Sequence, residues 1–204
     1  MRSQKKNVAM LCLFYFLSYI AFVLPYGYMQ TFLEYVGYDV VERGIILSGT
    51  AVVAIITQFF IGYLCDKYKT DKRFFNLCLI VFVLSTLVMY QVTQRNFFLH
   101  LIFISLVGGM FRTTLAVQDT WTLETSETCR NNFGPIRAFG AIGWMIGSPI
   151  GALVVEHYGY PALGYVFAGL AVLNIVLTMF MQDAVKVEKS GGIHASDLKE
   201  LLLD

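Results

Sequence analysis

Six apolar stretches constrain this chain more than anything else in it. They run over about residues 8–29, 44–64, 74–92, 97–121, 135–155 and 161–181. A helix needs roughly 20 apolar residues to cross a hydrocarbon core of about 30 Å. In lipid every backbone N–H and C=O must be satisfied within the protein, so segments of this length and composition span as helices. The expected fold is therefore all-α and integral to the membrane, with six transmembrane helices forming one bundle over residues 1–181. Charged residues make up 14% of the chain and hydrophobic ones 57%. Soluble domains carry roughly 25% charged residues, so this chain cannot cover a water-facing surface and the lipid bilayer is its first partner.

The formal net charge of +1 lacks the basic excess that phosphate neutralisation requires, which excludes nucleic acid as a partner. Cys12, Cys65, Cys78 and Cys129 form no C-x-x-C pair. His100, His157 and His194 stand apart from one another and from the cysteines, so no metal site and no cofactor are expected. No nucleophile–base pair or phosphate loop is visible, and the chain does not read as an enzyme.

Arg2, Lys5 and Lys6 precede the first apolar run, which is longer than the roughly 7–15 apolar residues of a signal peptide and is followed by no small-residue cleavage site. It reads as a retained first helix, kinked near its far end by Pro25. Asn131-Asn132 before Pro135, and Gly159-Tyr160 before Pro161, suit the starts of the fifth and sixth spans. Lys and Arg in the links fix an orientation. One side collects Arg2, Lys5, Lys6, Lys67, Lys69, Lys72, Arg73, Arg130, Lys186, Lys189 and Lys199, and the other only Arg43 and Arg95. The first side should be cytoplasmic, with both termini inside. Residues 182–204 are polar and read as a cytoplasmic tail, the start of a central loop, whose last eight residues suit a short amphipathic surface helix.

Ionisable residues within the spans are the functional candidates, because each costs about 2.5–3.5 kcal/mol even on an insertion scale and persists mainly where it pairs or faces a cavity. Span four carries Arg112 and Asp119, seven residues and about 10 Å apart on one face. Span five carries Arg137, and Trp144 stands seven residues further along the same face. An arginine fork with an indole platform binds sugars well, through hydroxyls and the apolar ring face respectively. An interfacial ion pair with snorkelling side chains explains Asp119 and Arg137 without any substrate, so both readings stay open. Gly140, Gly143, Gly147 and Gly151 form a small-residue stripe whose default role is close helix packing. Gln58 and Asn174 read as helix–helix hydrogen bonds. Tyr26, Tyr28 and Gln30 suit either a cavity wall or an interfacial belt.

Between spans two and three stands Gly62-Tyr63-Leu64-Cys65-Asp66-Lys67-Tyr68-Lys69-Thr70-Asp71-Lys72-Arg73. Glycine, leucine, aspartate and a base in that order, with a following basic pair, resemble the loop-2–3 signature of the major facilitator superfamily. Lys69 stands where that pattern has a glycine, and Thr70-Asp71 lengthen the turn. The resemblance implies a gating loop of Gly62, Asp66, Lys67, Lys72 and Arg73. Phe133-Gly134-x-x-Arg137-x-Phe139-Gly140-x-x-Gly143-Trp144, together with residues 111–119, resembles spans five and four of the lactose-permease (oligosaccharide–proton symporter) family. There an acidic residue stands eighteen positions before the arginine, as Asp119 stands before Arg137.

What this implies is the amino-terminal half of a twelve-helix transporter in the plasma membrane. Asp119, Arg137 and Trp144 would bind a sugar, protons would be the coupling partner, and a second six-helix bundle would be needed for alternating access. Ala141 stands where that family lines its site with cysteine, and Arg112 where it has an uncharged residue. A span-four arginine also occurs in facilitator-type drug antiporters, and residues 143–151 resemble their span-five glycine–proline motif with one residue inserted. An efflux antiporter, and a truncated module that does not transport, are therefore the alternatives.

Overall fold

A computed structural model describes residues 2–184 and 186 of the chain; the expected amphipathic helix over residues 197–204 lies outside them. Among the described residues the protein is all-helical, with eight helices in order: α1 Arg2–Gly27, α2 Met29–Val36, α3 Val40–Tyr68, α4 Lys72–Gln91, α5 Phe97–Thr125, α6 Glu127–Asn131, α7 Phe133–Tyr158 and α8 Tyr160–Met179. Six helical runs are long and apolar enough to cross a membrane, with α1 and α2 counting as one run from Lys6 to Val36.

Several runs extend beyond the apolar stretches because polar residues finish their ends. Asp39 starts α3 as a capping box, its carboxylate accepting from the Glu42 N–H while Glu42 reaches back to the Asp39 N–H. Asn96 caps α5 through the Leu99 N–H. The first run breaks at Tyr28 (φ −102°, ψ 2°), three residues after Pro25, which itself lies inside α1. The Tyr90 hydroxyl of α4 donates to the carbonyls of Leu24 and Pro25 (3.3 and 3.0 Å) beside that break. Asn132 precedes α7 without capping it through its side chain, which donates instead to the Thr128 carbonyl of the one-turn helix α6. Residue 69 lies in the left-handed region (φ 52°), the only described non-glycine residue to do so. A glycine meets that requirement without steric cost, which is why the superfamily pattern has one there.

Three helix pairs build the bundle: α1 with α7, α3 with α5, and α4 with α8, while α1 also touches α8 and α5 touches α4. The α1–α7 pair meets at backbone distance. A Cβ added at Gly143 would run into the Phe16 carbonyl of α1, one at Gly140 would meet the Tyr19 ring, and one at Gly147 would meet the Ile20 backbone. Aromatic residues from three helices fill the centre, with Phe14 between Phe75 and Trp121, and Phe22 between Phe82 and Phe111. Two polar contacts cross between helices in the interior, Ser18 donating to Asn174 (2.8 Å) and Thr57 bonded to Thr113 (2.6 Å). Burial is uneven. Of its most apolar window, α5 buries 56% but α3 only 17% and α7 22%, so α3 and α7 present wide open faces.

The segment after α8 folds back onto the end of the bundle that carries the α3–α4 link, here called the basal end. Asp183 accepts from the N–H groups of Asp71 (3.2 Å) and Lys72 (3.0 Å), from the Thr70 hydroxyl (2.5 Å) and from the Ala184 N–H (2.8 Å). Asp71 precedes α4 but makes no side-chain cap, so a carboxylate more than a hundred residues away caps that helix. Burial works to raise the Asp183 pKa, but these four donors outweigh it and hold the carboxyl below the usual range.

Three variants of the purified protein in lipid nanodiscs test this packing and this cap. Gly143→Ala should lose about 1–3 kcal/mol of stability by overpacking. Gly169→Ala, where a Cβ meets nothing within 4 Å, should change it by no more than about 1 kcal/mol, towards greater stability. Asp183→Ala should cost about 0.5–2 kcal/mol at neutral pH. Because the folded pKa is depressed, that contribution is complete above the unfolded value of about 3.9 and fades as pH falls through the folded one. Thermal melts of wild type and variant should therefore stay apart down to about pH 4 and converge only as pH falls further, through the folded value.

Candidate functional site

On α5, Asp119 lies six residues from the helix end, about 9 Å inward, because α5 runs on to Thr125. On α7, Arg137 occupies the first turns. The Arg137 Nη2 is 3.6 Å from Asp119 Oδ2, with 53% of the Arg137 side chain exposed. That distance exceeds a good N–H···O bond, so the two charges face each other without closing on each other. The other carboxylate oxygen is firmly held: buried Tyr15 of α1 donates its hydroxyl to Asp119 Oδ1 at 2.7 Å. Tyr15 stacks on Tyr19 (5.9 Å), which lies beside Arg137. Both charges thus lie against tyrosines one helical turn apart on α1.

Trp144 stands about 10 Å along α7 from Arg137. Its ring is half-buried among Tyr19 (6.4 Å), Tyr26 (6.3 Å) and Phe111 (5.9 Å). Tyr26 in turn stacks on Phe111 at 4.0 Å. The four chemistries of this wall are an aspartate, an arginine, tyrosine hydroxyls and an indole face. Together they can bind a polyhydroxylated ring, hydroxyls to the charged pair and apolar face to the aromatics. Tyr28 is spent elsewhere, donating to the Ser148 carbonyl (2.5 Å), and Gln30 is exposed.

Arg112 is exposed on α5 and makes no hydrogen bond or ion pair among the described residues. Ala116 and Thr120 follow it at helical spacing, also exposed. They lead into a cavity of about 650 Å³ between α3 and α5 at the basal end, lined also by Gln58, Thr113 and Glu124. Gln58 is therefore a cavity residue and not the helix–helix bond expected of it, whereas Asn174 does bond to Ser18 across helices.

The loop residues scatter in role. Gly62 has open space where a Cβ would sit, so nothing in this bundle requires glycine there. Lys67 lies over the rings of Tyr63 and Tyr68. Lys72 donates to the Met181 carbonyl at 3.0 Å. The Arg73 N–H donates to the Thr70 hydroxyl at 3.4 Å. Asp66 pairs with Lys186 (3.2 Å), which also pairs with Asp71 (3.0 Å) and Glu124 (2.6 Å).

Sequence reasoning passed over Tyr15, Tyr19, Asp71, Glu124, Asp183 and the reach of Lys186. The aromatic row Tyr15, Tyr19, Phe22 and Tyr26, at helical spacing in span one, was the available signal for the first two. The histidine His100 is structural, its Nδ1 bonded to the Tyr38 hydroxyl and its Nε2 to the Val92 carbonyl, both at 2.8 Å.

No curated protein matches the chain in sequence. Among solved structures 43 chains match. One is a crystal structure of the nucleoside transporter NupG in a mutant form, with a TM-score of 0.79 at 16% identity. The match covers 97% of this chain and 50% of that one, so the chain spans about half the length of the transporter whose fold it shares. The model of the MFS_1 like family matches residues 8–201. With a six-span helical bundle, a loop-2–3 signature and a family match over nearly its whole length, the chain is a multi-pass membrane protein that belongs to the MFS_1 like family of the major facilitator superfamily.

Proposed function

We propose that this bundle is the amino-terminal half of a secondary active transporter that carries a sugar or short oligosaccharide together with protons. The basal end, with its excess of lysine and arginine, is cytoplasmic in this reading, both termini are inside, and the membrane is the plasma membrane. The observation that carries the proposal is the Asp119–Arg137 pair. It is held apart at 3.6 Å, steadied by Tyr15, and flanked by Trp144 on the open edge of the bundle. An ion pair this exposed contributes about 0–1 kcal/mol to stability, so folding alone gives little reason for two charges in a span.

Sugar hydroxyls would enter between guanidinium and carboxylate, and the ring would lie against the indole. A second six-helix bundle would supply the facing wall, and rocking of the two halves about the site would expose it to each side in turn. Proton coupling rests on the family resemblance. A second reading has one observation of its own. Arg112, exposed and unpaired among the described residues, suits an efflux antiporter of the same superfamily or an acidic partner on the second bundle.

Uptake of labelled mono- and disaccharides by cells carrying the complete transporter tests the site. Arg137→Gln should lower binding and uptake at least about a hundredfold, the loss of a charge-assisted bidentate contact. Trp144→Phe should lower affinity about tenfold, consistent with about 1.5 kcal/mol of stacking. Uptake that survives Arg137→Gln would refute the site. Adding substrate to de-energised cells should make the medium more alkaline if transport is symport, whereas an antiporter would leave it unchanged or acidify it.

A further inference from the structure

The charge cluster at the basal end unites residues that no local sequence pattern joins. Asp66 ends α3, Asp71 lies in the α3–α4 link, Glu124 ends α5, and Lys186 follows α8. The Lys186 side chain is 9% exposed and its ammonium lies within 3.2 Å of all three carboxylates. Asp71 is fully buried, with its Oδ1 3.0 Å from this ammonium and the Cys65 thiol beside it. The same segment is fastened at further points. Asp183 caps α4, the Trp121 indole of α5 donates to the Gln182 carbonyl (2.9 Å), and Asn7 of α1 donates to the Gln182 side chain (3.1 Å). Lys72 holds the Met181 carbonyl.

The cavity of about 650 Å³ opens at this end, and Lys186 lies among its lining residues with Asp66, Asp71 and Glu124. We propose that residues 181–184 and Lys186 form a strap that closes the cytoplasmic mouth of the cavity. Lys186 is the bolt that ties the gating loop to α5. One ammonium faces three carboxylates, and Lys69 and Arg130 line the same cavity. Burial holds the Asp71 carboxyl above its usual range in spite of the ammonium. For Lys186, burial alone would weaken its charge, but Glu124 and Asp71 outweigh that and raise its pKa.

A strap balanced in this way holds while Lys186 is seated and gives an acidic, hydrated mouth once it leaves. Asp66, with its side chain 79% exposed, is then free to engage another partner. Movement of the chain that follows α8 is thereby tied to the gating loop. The proposal rests on this basal geometry and not on the identity of the transported solute.

Hydrogen exchange measured by mass spectrometry on the full chain in lipid nanodiscs tests it, since local opening reads out as lost protection. Lys186→Met should raise exchange of residues 66–73 tenfold or more, with the middle of α4 and of α7 unchanged, and Lys186→Arg should stay within twofold of wild type. Exchange in residues 66–73 that stays within twofold of wild type in Lys186→Met would overturn the strap. If Lys186→Met loosens every helix alike, the decision passes to Lys186→Met with Asp71→Asn, which removes the buried carboxylate together with the bolt. Exchange of residues 66–73 that stays tenfold or more above wild type while the middle of α4 and of α7 regains protection supports the strap, and exchange of residues 66–73 within twofold of wild type overturns it.

Discussion

The contact on which the rest depends is the approach of α7 to α1 at backbone distance. Gly140, Gly143 and Gly147 let α7 lie directly on the Phe16–Ile20 backbone and the Tyr19 ring of α1. Lipid tails are as apolar as leucine, so close van der Waals fit rather than hydrophobic exclusion joins such helices. The same approach sets function. With the two backbones in contact, Arg137 and Trp144 on α7 come against the tyrosine row of α1, and α5 brings Asp119 to the same point. Any side chain at Gly143 would separate the charged pair from the tyrosines beside it.

Charge is otherwise kept to the two ends, where it fastens links instead of lining a path. At the basal end Lys186 gathers three carboxylates. At the other end Glu34 pairs with Arg43 (2.9 Å), Arg95 pairs with Glu42 and lies over the Tyr38 ring, and Tyr38 is bonded to buried His100. The wall of Asp119 and Arg137 differs in kind, because Arg112 and Arg137 stay exposed along it.

The six spans and the all-helical fold were legible in residue patterning because lipid permits so few alternatives to a helix of about 20 apolar residues. The glycine stripe was legible as a regularity along a single helix, whereas the eighteen-residue interval from Asp119 on α5 to Arg137 on α7 was legible only through the family resemblance. Lys69 was legible through a pattern it breaks, since the position needs the left-handed conformation that a glycine would adopt freely. Contacts between distant segments were not legible. Tyr15 and Asp119 are 104 residues apart, and Asp66 and Lys186 are 120 apart. Nothing in either local sequence announces the other. Gln58 misled because a lone amide in a span usually bonds to a neighbouring helix, yet here it lines the cavity between α3 and α5 while its neighbour Thr57 makes the bond to Thr113.

The central claim is that the edge bearing Asp119, Arg137 and Arg112 lines water and not lipid. Cysteine placed singly at Ala116, Thr120 and Ala141, with the four native cysteines changed to serine, tests this in the intact membrane through reaction with a charged, hydrophilic thiol reagent. Leu84 on α4 and Val172 on α8, exposed on the opposite side, serve as lipid-facing references. The account predicts rapid modification at 116, 120 and 141 and none at 84 and 172. Equal silence at all five positions would mean that the charged edge faces lipid or packed protein, and would contradict it.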